Sequence, residues 1–151
     1  MTEQEQRAAV VAEARSWLRT PFVQNARVKG CGVACGPLLV ASYVPLWLDT
    51  GWPLPVLEPF PKDWHCHTRD ERFLRVVEAF AREVDAPQQG DIVMFRLGGA
   101  TRPYSHAAIV IEWPGRIIHA MWRSGVEYAD VNQPPLRGAA VRFYSPWAAH
   151  A

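Results

Sequence analysis

The order of patterns along this chain predicts the α+β class. Helix-type spacing of apolar residues is confined to the first 83 positions, and strand-type segments joined by tight turns begin near residue 90. A cysteine at the start of the second helical segment precedes two histidines in the strand region. Helices first and sheet second, with short strands in succession, implies an antiparallel sheet.

The first helix is expected over residues 4–18, where Ala8, Val11, Ala12, Ala14, Trp17 and Leu18 include pairs spaced at three and four. Thr20-Pro21 ends it, because proline cannot continue a helix. Residues 21–34 read as a loop with Gly30 and Gly32. Residues 35–48 are apolar nearly all round and read as a buried helix that Pro45 kinks or ends early. Residues 49–64 hold Pro53, Pro55, Pro59 and Pro61, which makes them an irregular arm. Helical spacing returns over residues 69–83 through Phe73, Leu74, Val76, Val77 and Phe80. Strands are then expected at Ile92 to Phe95, His106 to Trp113, Arg116 to Met121, Val126 to Val131 and Ala139 to Tyr144. Turns at Pro114-Gly115 and Ser124-Gly125 separate three of them.

The 151 residues fit one domain, with 49% hydrophobic and 21% charged residues as in ordinary globular proteins. A net charge of +1 argues against a general nucleic-acid binder, which needs a basic surface. No run of about 18 apolar residues is present, so no membrane span is expected. The first seven residues are polar, with no apolar stretch of the kind a secretion leader carries. Three cysteines, an odd number, do not suggest a disulfide framework. Synthesis and folding in a reducing cytoplasm are therefore expected.

The chemistry-bearing segment is Lys29-Gly30-Cys31-Gly32-Val33-Ala34-Cys35-Gly36-Pro37-Leu38-Leu39. A glycine-rich approach followed by an apolar helix puts Cys35 at a helix N-terminus. There the unpaired N–H groups and the helix dipole favour a thiolate, so a depressed pKa is expected for Cys35. Pro37 suits a first turn, which has no N–H partner to lose. Downstream, His106 and His119 lie in strand segments. Thiol nucleophile, imidazole base and an orienting group are the parts of a cysteine hydrolase. A buried structural thiol is the competing reading of Cys35, and Cys31 is a rival nucleophile placed inside the loop. His65-Cys66-His67, with Cys31 and Cys35, offers zinc-ligand types in a spacing that matches no standard zinc pattern. Trp113 and Trp122 flank the histidine strands and are candidates for lining a cleft.

In this order and spacing the residues resemble the NlpC/P60 cysteine peptidases, and within them the phage-tail and gene-transfer-agent branch. The matching stretches are Thr20-Pro21-Phe22, Val28 to Cys35, Trp64-His65-Cys66-His67, Glu71 to Leu74, Gln89 to Val93, Ser105-His106 and Ile118-His119-Ala120. The stretches run from Thr20 to Ala120, and the resemblance covers about residues 8–145. The resemblance implies a papain-like fold with N-terminal helices packed on an antiparallel sheet. It implies cleavage of peptide bonds in peptidoglycan stem peptides, with Cys35 as nucleophile, His106 as base and His119 orienting His106. It implies no cofactor. The implied setting is a phage or phage-like tail tip at the host cell wall, with tail-tip or hub proteins as neighbours. Two positions depart from the family pattern: Ala34 stands where Asp is usual before the nucleophile, and Phe22 where many members have Tyr. Both changes remove a polar group from the site, so a structural tail-tip subunit of low activity is the alternative.

Overall fold

The computed structural model describes residues 1–151. Helix α1 (Glu3–Ser16) opens on a reciprocal cap. Glu5 N–H donates to Thr2 Oγ1 at 3.2 Å, and Thr2 N–H donates to Glu5 Oε2 at 2.7 Å. Val10, Val11 and Ala14 form its buried stripe. The chain then turns through Arg19, at φ 72°, into residues 21–34. That stretch, expected as a loop, contains a two-stranded antiparallel ribbon, β1 (Arg27–Val28) and β2 (Gly32–Val33).

The single helix expected over residues 35–48 is two: α2 (Cys35–Ser42) and α3 (Val44–Thr50). Tyr43 is the joint, at φ −91° and ψ 0°. Pro45 is the cause, since it has no N–H to extend α2 and is well placed in the first turn of α3. Residues 51–63 form the irregular arm, followed by a 3₁₀ turn (Trp64–Cys66) and α4 (Arg72–Glu78). The expected helix over 69–83 is shorter than its apolar spacing suggested, because Arg82–Val84 pairs as strand β3 instead.

The sheet adds β4 (Ile92–Arg96), β5 (Tyr104–Val110), β6 (Arg116–Met121), β7 (Gly125–Asp130) and β8 (Ala140–Ser145). All pairs are antiparallel, in the order β3-β8-β4-β5-β6-β7. β4 is central, and its side chains divide between two clusters as strand alternation requires. Ile92 and Met94 join the larger core with α1, α2, α3 and α4, whereas Val93 and Phe95 pack on the other face with Ala108, Ile117, Val131 and Leu136. A short helix, α5 (Pro146–Ala149), follows the last strand, and its Trp147 packs on Tyr43.

Asp91, at the head of β4, is 1% exposed and paired with Arg7 of α1 at 2.9 Å. Arg7 also donates to the Gln89 carbonyl at 2.8 Å and lies over the Trp147 ring. Gln88 N–H donates to the same Asp91 carboxylate at 2.8 Å. The Gly-Asp pair is thus an anchor between the first helix and the central strand. No helix is long and apolar enough to cross a membrane.

Candidate active site

Cys35 occupies the first position of α2, after Ala34 in extended conformation. β2 feeds directly into it. Val33 N–H donates to the Pro21 carbonyl and Val23 N–H to the Val33 carbonyl, which fastens the Phe22 segment beside the start of α2. β5 pairs with β6 only at Ile109 and Val110, so its first half diverges from β6. The start of α2 meets β5 in that fork. Cys35 Sγ lies 3.9 Å from the Ser105 carbonyl oxygen and within reach of the Ala107 N–H, the two peptide groups that flank His106.

Cys35 and His106 both line a cavity of about 420 Å³. Phe22, Ser105, Ala120 and Trp122 contribute from the folded body, Leu57, Glu58, Phe60, Lys62 and Asp63 from the arm, and Trp64 and His65 from the 3₁₀ turn after it. Phe22 meets Trp122 edge to face, with ring centres 5.9 Å apart.

His106 Nε2 lies 2.8 Å from His119 Nδ1. His119 Nε2 lies 3.2 Å from Glu127 Oε1, and Ser124 Oγ donates to the same oxygen at 3.0 Å. His119 and Glu127 are opposite residues of the β6–β7 ladder, which puts their side chains on one face at close range. Glu127 was missed in the sequence. The signal was there: the expected strands around the Ser124-Gly125 turn, paired as a hairpin, bring these two residues together.

The expectation of a depressed Cys35 pKa is overturned. Burial pushes the thiol up to about 11, although N–H groups of Ala107, Gly36 and Cys35 favour the anion. The reason is one of magnitude. A helix N-terminus is worth about 0.3–1 kcal/mol, less than one pH unit, and α2 is only 8 residues long. Removing an anion from water costs more. Burial, reinforced by the nearby His119, also drives His106 down to about 3. His119 is lowered by burial, with Glu127 opposing. Burial thus favours the neutral form of both the Cys35 thiol and the His106 imidazole.

Other sequence candidates fall elsewhere. Cys31 and Cys66 are exposed, and no group of three His, Cys, Asp or Glu side chains is arranged to hold a metal. His65 lines the cavity. Trp122 does so as well, but Trp113 does not: it stacks edge to face on Phe143, 4.9 Å between centres, in the second core cluster. It follows β5 after the strand has crossed to the far end of the sheet from His106, which the sequence order concealed.

No family model matches the chain, and no curated protein sequence does. Its architecture, in contrast, recurs in solved structures. A lipoprotein-like protein of the NLP/P60 family from Staphylococcus aureus superposes with TM-score 0.61 at 20% identity, over 93% of this chain and 41% of that one. The NlpC/p60 domain of the peptidoglycan hydrolase SagA superposes with TM-score 0.56 at 20% identity, over 90% of this chain and 96% of the domain. The fold is that of the NlpC/P60 proteins. The peptidoglycan hydrolase RipB from Mycobacterium tuberculosis matches with TM-score 0.57 at 13% identity, over 95% of this chain and 65% of its own. The chain spans less than half the length of several relatives, including 43% of NlpC1 from Trichomonas vaginalis. Within the NlpC/P60 fold, the helix start and the β5–β6 fork are the elements that bring Cys35, His106 and His119 to one place.

Proposed function

We propose that this chain is a cysteine peptidase that hydrolyses peptide bonds in peptidoglycan stem peptides. The observation that carries it is the Cys35 sulfur set against the peptide groups flanking His106, both residues lining one cavity, with His106 hydrogen-bonded to His119. The NlpC/P60 fold it shares with peptidoglycan hydrolases supports the substrate class.

In this reading His106 accepts the Cys35 proton as sulfur attacks the scissile carbonyl, forming a C–S bond. The Cys35 N–H, in a helix turn with no acceptor of its own, stabilises the oxyanion. The C–N bond breaks, and the proton on His106 passes to the leaving amine. Water, deprotonated by His106, then attacks the thioester and restores the thiol. His119 holds the His106 ring throughout. Because burial favours the neutral forms of Cys35 and His106, this reading has proton transfer accompany attack.

The biological setting we propose is a phage or phage-like tail tip, made in the bacterial cytoplasm and acting at the host wall beside tail-tip or hub proteins. The motif order in the sequence supports it. A second reading, a structural subunit of low activity, is favoured by the loss of polar groups at Ala34 and Phe22 and by the high thiol pKa. Incubation with purified peptidoglycan and mass analysis of released fragments tests both. New amine termini with wild type and none with Cys35→Ala establish the peptidase; no fragments from wild type favour the structural subunit.

A further inference from the structure

Glu127, His119 and His106 form an unbroken line of hydrogen bonds that ends at the wall of the cavity, and its direction can be worked out from one end. A carboxylate accepts and does not donate. Glu127 Oε1, 3.2 Å from His119 Nε2, therefore requires the proton on that nitrogen. In a neutral imidazole the other nitrogen then carries the lone pair. His119 Nδ1, 2.8 Å from His106 Nε2, must accept, so His106 Nε2 must donate. The lone pair of His106 is left on Nδ1, the ring nitrogen that His119 does not engage.

We propose that Glu127 is a positioning residue: its carboxylate fixes the tautomer of both histidines and so aims the lone pair of His106 at Cys35. The inference rests on the peptidase reading for its consequence in turnover, though not for the tautomers themselves. His119 is 1% exposed and His106 6%, so water has little access to supply a competing partner. Ser124 Oγ, donating to the same Oε1 at 3.0 Å, holds the carboxylate in place. Nothing else in the line dictates direction. With no acceptor at position 127, His119 can carry its proton on Nδ1 and donate to His106 Nε2. The His106 proton then sits on Nδ1, and the thiol faces an N–H where it needs a base.

The test reverses the line. In Glu127→Gln the amide oxygen can still accept from His119 Nε2, without charge. In Glu127→Lys the ammonium donates to Nε2 and imposes the opposite tautomer on both rings. Imidazole ¹⁵N NMR of the full-length protein reads the tautomers, and turnover of purified peptidoglycan reads the consequence. Wild type and Glu127→Gln should both show protonated Nε2 on His106 and His119, with kcat within about threefold of each other. Glu127→Lys should show protonated Nδ1 on both and lose about 10²–10⁴-fold in kcat, the usual worth of a general base, with KM little changed. Glu127→Ala should show mixed tautomers and an intermediate kcat, and it serves should the Lys variant melt far below wild type. Wild-type tautomers in both Glu127→Ala and Glu127→Lys would overturn the proposal. So would a switched tautomer with unchanged kcat. An inert wild type would sink the peptidase reading alone, since the NMR result decides the role of Glu127 separately.

Discussion

Alkylation of Cys35 should depend on pH in a way that reveals its burial. A thiol pushed up to about 11 by loss of water is ionised in only about one molecule in 10⁴ at pH 7. For an unperturbed thiol at the reference value of 9.0, the fraction would be about one in 10². The thiolate is the reacting species, so the pseudo-first-order rate with iodoacetamide should climb about tenfold per pH unit from pH 7 to 10. Exposed Cys31 and Cys66 should be modified ahead of Cys35 at neutral pH. Peptide mapping after timed quenching gives all three rates in one experiment. Far-ultraviolet circular dichroism at each pH shows that the fold persists. A Cys35 rate that reaches its plateau below pH 8 would refute the reasoning. It would show that His106 and Cys35 rest as an ion pair and that the helix N-terminus outweighs desolvation.

Acid should destabilise the protein through His106. Its folded pKa of about 3 lies below the unfolded 6.5, so the unfolded chain binds more protons between these values. Stability is complete above about pH 6.5 and falls as pH drops, by at most about 1.4 kcal/mol per unit. His119, also lowered, adds to the same slope. Urea midpoints at pH 7, 5 and 4 should show this loss in wild type and less of it in His106→Asn. Arg7→Ala should cost about 3–5 kcal/mol, because it strands the buried Asp91 carboxylate, and Arg7→Met with Asp91→Asn should recover much of that. Ala34→Asp should raise stability by about 1 kcal/mol in thermal unfolding, since α2 has no side-chain cap. Phe22→Tyr should leave the fold intact and not abolish hydrolysis. If the added hydroxyl reaches the sulfur or the oxyanion, turnover should rise by about tenfold to a hundredfold.

The fold was legible where spacing and composition agreed. Apolar runs at Ile92 and Ile109 are buried on both faces, and such strands announce themselves. The split at Tyr43 was half legible, because Pro45 marked a disturbance without saying whether the helix would bend or restart. Arg82–Val84 was not legible: a short edge strand with exposed charges has no periodicity, and only β8 makes it a strand. At the site, residue order brought forward Cys35, His106 and His119, and the geometry gathers them. The thiol's ionisation could not be read from its neighbours in sequence, since it turns on burial between α2 and β5. Glu127 lay one step beyond, in a ladder register that strand boundaries alone do not supply.

The arm has a consequence for how this site could change. Seven of the residues from 57 to 65 line the cavity, yet they share no ladder with the sheet. They are tied down by Asn25, whose Nδ2 donates to the Phe60 carbonyl at 3.0 Å and whose Oδ1 accepts from Phe60 N–H at 2.9 Å. Away from the arm, the folded body is fastened by backbone pairing. β7 grips the Thr20 turn through paired backbone bonds, and a methyl on Gly125, at φ 76°, would sit 2.5 Å from the Thr20 oxygen. The arm residues that line the cavity and the elements that gather Cys35, His106 and His119 therefore lie in separate stretches of the chain. If the proposed peptidase reading holds, changes of length or charge in the arm should alter substrate preference while Cys35, His106 and His119 keep their places, one loop exchanged at a time.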